Sequence, residues 1–327
     1  MAEKRERFSY LDSVSAFFII QIIIGHILQF VNMYSIMDNW VKIFSFYMPF
    51  FYFKSGMFAK TDVLFRNQLK ADTNKLLIPF IIMSSIGYVL NLPFELFYSD
   101  KPIYDIILRP WGALLKHGSM PSSLALWFLL SLFEVKLCFN IIIKNRYKGT
   151  ILLLFFIISI IVAHRHILLP LCMSTLFPGV LIYFLGYVYN NYSGKYSWGL
   201  AITAMLVFAI VTIRDDSVVE MRNNFLSKGH YISWFVKSLT GIVSLIFISY
   251  KLPSLYFLMK IGKDSMGYYI YHWILLYLIW NVLCIFYSNV SSWLFIIASC
   301  VVCIVALPLL TYYSKIYYPF ILGGYKK

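Results

Sequence analysis

The residues best suited to chemistry lie in one apolar stretch near the start of the chain, LDSVSAFFIIQIIIGHILQF (11–30). Asp12 stands near its beginning, and His26 lies deep inside it with no charged residue between the two. A histidine ring titrates near neutral pH, so it can accept a proton from an alcohol and return one to a leaving group. The stretch predicts either a general base or a histidine that hydrogen-bonds to a neighbouring helix.

The polar residues of this stretch share one side of a helix. Positions 12, 15, 19, 22, 26 and 29 are three or four residues apart, so they fall on one face of a helix. Four of them are polar, namely Asp12, Ser15, His26 and Gln29, and the two in the middle are isoleucines. A polar stripe on a membrane helix is expected to face protein or a water-filled cavity. We therefore expect His26 to face the interior of the protein and not the lipid.

The composition of the whole chain is that of a membrane protein. Of its 327 residues, 61% are hydrophobic and 13% are charged, whereas a soluble domain is about half apolar and about a quarter charged. Stretches of roughly 20 apolar residues, enough to span a bilayer, recur along the chain. We predict an all-α, polytopic integral membrane protein of about ten transmembrane helices, forming one membrane-embedded domain over residues 1–327. The predicted spans are 10–31, 40–59, 76–97, 122–143, 150–164, 167–189, 197–214, 230–250, 265–287 and 291–314.

The basic residues predict how the chain is oriented. The formal net charge is +14, and in a soluble protein this would indicate nucleic-acid binding. Here Lys and Arg collect in alternate loops, as expected of cytoplasmic segments. We predict both termini in the cytoplasm, a multi-pass protein of the plasma (inner) membrane, and no nucleic-acid partner. We also expect no metal site, because Cys300 and Cys303 have C-x-x-C spacing without a second pair or a nearby histidine.

Six blocks of the sequence resemble the membrane-bound acyltransferase 3 family, and within it the fucose 4-O-acetylase-like branch. In chain order they are LDSVSAFFIIQIIIGH (11–26), FYMPFFYFKSGMF (46–58), NKLLIPF (74–80), ALWFLLSLF (125–133), MRNN (221–224) and IGKDSMGYYIYHW (261–273). The resemblance implies O-acylation of carbohydrates, with acetyl-CoA as co-substrate and no permanently bound cofactor. It implies that His26 is the catalytic base and that Asp12, or another acid, assists it.

One position departs from the family pattern. Family members carry a basic residue eleven positions before the histidine, which is thought to help hold the acyl donor, and here that position is Ser15. Lys54, in the second predicted span, lies at the same depth, roughly 7–8 Å from the cytoplasmic end at 1.5 Å per residue. We hypothesise that Lys54 supplies the missing cation. The alternative is a lysine that extends to the cytoplasmic headgroups.

Four further residues are candidates for binding. Lys75 belongs to a basic cytoplasmic segment expected to meet the phosphates of acetyl-CoA. The resemblance suggests that Arg222, in MRNN, faces the sugar, with a solvated arginine as the alternative. Glu134, in the fourth predicted span, either orients His26 or makes a structural polar contact. His272 either binds substrate or packs against Trp273.

These residues together predict an integral membrane O-acyltransferase. It would move an acetyl group from acetyl-CoA to a hydroxyl of a cell-surface carbohydrate or its lipid-linked precursor, with the two substrates reaching His26 from opposite faces. Direct transfer is simpler than an acyl-enzyme, because no serine or cysteine nucleophile accompanies a histidine. One alternative is a membrane transporter or flippase for a sugar-containing substrate, since intramembrane charges also mark such proteins. Another is a catalytically degenerate family member, marked by Ser15.

Overall fold

The computed structural model describes residues 8–287 and 289–324. Over these ranges the chain is helical apart from its connections and one short β-hairpin, which confirms the prediction of an all-α polytopic protein. Eight helices of the described part are long and apolar enough to cross a membrane.

Fourteen α-helices follow one another along the described chain. They are α1 (Ser9–Phe30), α2 (Asp38–Phe44), α3 (Tyr47–Met57), α4 (Phe65–Asp72), α5 (Ile78–Tyr98), α6 (Ile103–His117), α7 (Trp127–Ile142), α8 (Lys148–Arg165), α9 (Met173–Asn191), α10 (Trp198–Arg214), α11 (Tyr231–Lys251), α12 (Tyr256–Lys263), α13 (Ser265–Phe286) and α14 (Ser292–Tyr317). A π-helical turn, Thr73–Leu77, joins α4 to α5. Strands β1 (Val218–Glu220) and β2 (Phe225–Lys228) pair antiparallel between α10 and α11.

The ten predicted spans are all helical, and eight of them coincide with helices that can cross a membrane. The predicted seventh span is α10, whose 17 residues make it slightly shorter than the eight helices that are long enough to cross a membrane. The predicted second span, 40–59, is not one continuous helix, because α2 and α3 are interrupted at Ser45 and Phe46. The predicted boundary between the fifth span, 150–164, and the sixth, 167–189, is confirmed, because α8 ends where His166 adopts a left-handed conformation (φ 51°).

Helix α1 lies at the centre of the bundle. In its central window 67% of the residues are buried, against 17% for α8, which lies at the periphery. It packs against α3, α11, α12, α13 and α14. Of the predicted polar stripe, Ser15 is fully buried, Asp12 and His26 are half-buried, and Gln29 is exposed.

Helices α3 and α9 approach each other closely at two glycines. A Cβ atom on Gly56 would lie 1.9 Å from the Tyr183 carbonyl oxygen, and one on Gly186 would lie 2.1 Å from the Phe53 carbonyl oxygen. Neither position has room for a larger side chain, so the two backbones pack directly. This contact fixes the end of α3 that carries Lys54.

Candidate active site

His26 opens into a cavity of about 360 Å³, which we name the histidine cavity. Helix α1 contributes Gln21, Gly25, His26 and Gln29 to its wall. His26 and Gln29 of the polar stripe therefore form part of one side of the cavity. The other sides include Tyr47, Met48, Trp127, Glu220, Arg222 and Tyr269.

The ring of His26 is held in a defined orientation. Its Nδ1 atom lies 3.1 Å from Gln29 Oε1. Because this amide oxygen accepts, Nδ1 is the donor and Nε2 keeps its lone pair. The ring stacks on His272 with centroids 5.3 Å apart and meets the edge of Trp273 at 4.8 Å. The arrangement supplies an oriented ring nitrogen that can accept a proton.

His272 lies behind His26 and does not line the histidine cavity. It is fully buried, and its Nδ1 lies 3.1 Å from the Tyr268 carbonyl oxygen and 2.8 Å from that of Tyr269. Carbonyl oxygens only accept, so Nδ1 carries the proton. Its neighbour Trp273 donates from Nε1 to the Pro121 carbonyl oxygen at 2.9 Å. Both rings therefore pack against His26 and support it. His272 is not among the described residues that line the histidine cavity.

Arg222 reaches the histidine cavity from the turn between β1 and β2. Its backbone carbonyl accepts a hydrogen bond of 2.7 Å from Thr175 Oγ1 of α9. Asn224 takes a left-handed conformation (φ 53°) and donates from Nδ2 to the Ser159 carbonyl oxygen of α8 at 3.1 Å. These bonds pin the turn to the bundle. The guanidinium Nε lies 3.7 Å from Glu220 Oε1, so a fixed positive group shares the cavity with His26.

A second cavity, of about 490 Å³, lies toward the opposite end of α1, and we name it the lysine cavity. The basic residues of its wall are Lys54, Lys60, Lys75 and Lys136, and its acidic residue is Asp72. The excess of positive charge in a concave site suits an anionic ligand such as a phosphate. The structure thus brings the predicted donor residues Lys54 and Lys75 to one site.

Lys54 lies beside Ser15, as the matching depths on consecutive helices predicted. Lys54 Nζ donates to Ser15 Oγ at 2.6 Å and lies 3.9 Å from Asp12 Oδ1. Ser15 Oγ in turn donates to the Leu11 carbonyl oxygen at 2.6 Å. Lys54 is in the last turn of α3, where the helix dipole favours a cation. The ammonium group of Lys54, from α3, therefore lies at Ser15 of α1, the position where the sequence resemblance implies a basic residue.

Asp12 belongs to the lysine end of α1. It is fourteen residues before His26 on the same helix, which places it about 21 Å away along the axis. Direct assistance of His26 by Asp12 is therefore excluded by distance. Its ion pair with Lys54 associates it with the donor end instead.

Glu134 is not brought to His26. It lines neither of the two cavities, and its Oε2 atom is buried without a hydrogen-bond partner. The other charge of its span, Lys136, forms an ion pair with Asp72, which also accepts a hydrogen bond of 2.8 Å from Gln68 Nε2. The only sign of this pair in the sequence was that Asp72 is an acidic residue within the basic segment before α5.

The two cavities approach each other at adjacent residues of α7. Trp127 lines the histidine cavity and Phe128 lines the lysine cavity. The Phe128 ring meets Tyr52 and Tyr269 edge to face, with centroids 4.9 and 5.7 Å away. An aromatic layer therefore separates the cavities. Ser15 and His26, one at each end, are about 17 Å apart along α1.

Several lining residues were not predicted. Trp127 and Tyr269 lie in the blocks ALWFLLSLF and IGKDSMGYYIYHW, but aromatic residues make up 19% of the chain, so their types do not single out these two. Gln21 could have been singled out from the sequence, because it is a polar residue within a predicted span. It lies one turn before Gly25 and is buried. Within the described ranges, no group of three or more His, Cys, Asp or Glu residues is placed to hold a metal ion.

The acyltransferase 3 family model, described as an acyltransferase domain, matches residues 8–312. No curated protein and no solved structure matches the chain. The family match runs from the start of α1 into α14, so it includes His26, Lys54 and every wall of both cavities. The chain is therefore a multi-pass membrane acyltransferase that belongs to the acyltransferase 3 family.

Proposed function

We propose that this acyltransferase moves an acetyl group from acetyl-CoA to a hydroxyl of a cell-surface carbohydrate or its lipid-linked precursor, with His26 as the general base. The observation that carries the proposal is the pair of cavities on either side of the aromatic layer at Trp127 and Phe128. One is cationic, and the other contains an oriented histidine. A fucose 4-O-acetylase-like specificity and residence in the plasma membrane are part of the same proposal.

The lysine cavity suits the donor. The phosphates of acetyl-CoA are anionic, and Lys60 and Lys75 are exposed at this cavity, while Lys54 lies deeper beside Ser15. An ammonium group that donates to an anionic oxygen makes a stronger hydrogen bond than a neutral donor does. The thioester arm would extend from these lysines past Phe128 toward His26.

The histidine cavity suits the acceptor. His26 Nε2 accepts the proton of a sugar hydroxyl while the hydroxyl oxygen attacks the acetyl carbonyl carbon. The new C–O ester bond forms as the C–S bond breaks, and the proton passes from the imidazolium to the leaving CoA sulfur. Arg222 offers hydrogen-bond donors in the same cavity, which suits hydroxyl groups. No covalent acyl-enzyme is needed.

The test is release of CoA thiol from acetyl-CoA by the purified protein in detergent, with and without a de-O-acetylated cell-envelope glycan. We expect glycan-dependent release that His26→Ala abolishes. His164→Ala is the matched control, because His164 is exposed at the end of α8. Equal release by the His26→Ala variant would contradict the proposal. Movement of glycan across proteoliposomes without CoA release would support a transporter instead.

A further inference from the structure

One lysine is fully buried inside the bundle, and the proposed reaction gives it no role. Lys237 belongs to α11, one of the helices long and apolar enough to cross a membrane. A cation is costly in such a helix, so it is expected to serve a function. Its Nζ atom donates to the Ser217 carbonyl oxygen at 2.6 Å and to the Lys42 carbonyl oxygen at 3.0 Å. The ammonium group therefore joins α11 to the segment before β1 and to α2.

Both partners of Lys237 lead to the histidine cavity. Ser217 directly precedes β1, whose last residue, Glu220, lines the cavity together with Arg222 in the turn that follows. On the other side, Val41 precedes Lys42 in α2 and also lines the cavity. The Lys42 carbonyl is one of the last four of α2, which have no partner within a helix. A single buried cation thus supports two walls of the cavity that α1 does not supply.

The base of the β1–β2 hairpin is closely packed around the carbonyl that Lys237 holds. Ser217 is fully buried. Gly229, which follows β2, adopts a left-handed conformation (φ 67°), and a Cβ atom there would lie 2.7 Å from Ser217 Cα. The start and the end of the hairpin therefore pack directly on each other. Lys237 attaches both to the membrane-spanning bundle.

A second buried side chain holds the tip of the same hairpin. Thr175, in the first turn of α9, is fully buried, and its Oγ1 atom lies 2.6 Å from the Met221 carbonyl oxygen and 2.7 Å from that of Arg222. A hydroxyl has one proton, so these two carbonyl oxygens share it. Thr175 fixes the backbone at the residue whose side chain reaches the cavity.

We propose that Lys237 and Thr175 are positioning residues for the acceptor, which hold the β1–β2 hairpin so that the Arg222 guanidinium stays in the histidine cavity. Neither is among the described residues that line this cavity, so each acts through the backbone of the hairpin. Hydrogen bonds weaken steeply when the donor moves out of line, so a displaced Arg222 would bind a sugar hydroxyl poorly. This inference rests on the proposed carbohydrate acylation at His26.

The first experiment removes the Thr175 hydroxyl and measures KM for both substrates, acetyl-CoA and de-O-acetylated envelope glycan. We expect Thr175→Val to raise KM for the glycan about two- to tenfold, the scale of one net hydrogen bond, and to leave KM for acetyl-CoA unchanged. Thr175→Ser keeps the hydroxyl and should keep the wild-type KM for both. A merely structural role of Thr175 would not separate the two substrates.

The second experiment removes the buried cation. Lys237→Met should raise KM for the glycan about tenfold or more, because two hydrogen bonds from a charged donor are lost. Lys228→Met is the matched control, since Lys228 is an exposed lysine at the end of β2. The double variant Lys237→Met, Arg222→Ala should bind glycan no worse than Arg222→Ala alone, because residues that act through one another are not additive.

The outcomes separate this inference from the proposed function. A rise in KM confined to the glycan and absent from Thr175→Ser and Lys228→Met would support it. A wild-type KM in Thr175→Val, an equal rise for both substrates, or full additivity with Arg222→Ala would overturn it and leave acylation at His26 in place. If Lys237→Met does not fold, the two Thr175 variants decide. Absence of transfer to glycan by a wild-type protein that binds acetyl-CoA would overturn the carbohydrate acceptor and this inference with it.

Discussion

In the proposed reaction, the two ends of α1 have different roles. Ser15 and His26 are on the same buried helix, but the first meets Lys54 and the second meets Gln29 and His272. A single helix therefore sets the separation between the cationic end and His26, the proposed base. Substitutions at one end should change donor binding, and substitutions at the other should change the chemical step.

Lys54→Met should raise the KM for acetyl-CoA by about tenfold or more, because a charge-assisted hydrogen bond is worth about 1.5–3 kcal/mol. The double exchange Ser15→Lys, Lys54→Ser returns the cation to the first helix and should restore much of the affinity. Lys42→Met is the matched control, since Lys42 is outside the lysine cavity and pairs with Asp216 at 3.5 Å. An unchanged KM in Lys54→Met would refute the role of Lys54.

Asp72→Asn should destabilise the protein by about 3 kcal/mol, because it leaves Lys136 without its ion-pair partner in a largely buried place. Replacing both partners, Asp72→Asn with Lys136→Met, should recover much of the loss. The measurement is thermal unfolding in detergent, with Asp62→Asn at an exposed position as the control. Equal melting temperatures of the wild type and Asp72→Asn would show that the pair contributes nothing.

Among the elements, the long apolar helices were predictable and the exceptions have physical reasons. A span is recognised by its apolar length, which α1, α8 and α13 show without interruption. Helix α6 was not predicted, because Asp105, Arg109 and Lys116 interrupt its apolar pattern although they share one side. The hairpin β1–β2 has too few residues to show a strand period.

The sequence predicted the site only where two residues share a face of one helix or lie at the same depth on consecutive helices. The face shared by Ser15 and His26 follows from helical spacing, and the Lys54–Ser15 contact follows from equal depth on consecutive helices. The stacking of His26 on His272 joins α1 to α13, and no local pattern specifies which residues of distant helices meet. The pairing of Asp72 with Lys136 was missed for the same reason.

Gly56→Ala and Gly186→Ala should each destabilise the bundle by at least about 1–3 kcal/mol, the usual effect of overpacking. The added methyl would press on a backbone carbonyl across the α3–α9 contact. Gly199→Ala is the matched control, because no atom lies within 4 Å of its Cβ position. Thermal unfolding in detergent measures the difference, and a melting temperature unchanged in both α3–α9 variants would contradict the close packing.

For the whole molecule, the proposed function requires access from two sides of the membrane. The lysine cavity would open to the cytoplasm and the histidine cavity toward the opposite face, as the positive-inside rule predicts. Direct transfer would then take place inside the bundle, and neither substrate would have to cross the membrane.

Cysteine labelling tests this orientation. In a background without the exposed Cys284 and Cys300, Lys101→Cys should react with an impermeant maleimide on intact cells with the outer face of the membrane accessible. Lys60→Cys should react only after permeabilisation. The reverse labelling pattern would place the lysine cavity on the wrong side for acetyl-CoA.

The most direct test of the central claim is transfer of labelled acetyl from acetyl-CoA to the hydroxyls of de-O-acetylated envelope glycan, measured as base-labile label in the purified glycan. We expect transfer by the wild-type protein and by His164→Ala, and a loss of at least about 10²-fold in His26→Ala, the usual scale of general-base catalysis. Transfer at the wild-type rate by a folded His26→Ala protein would contradict the role of His26 as the base.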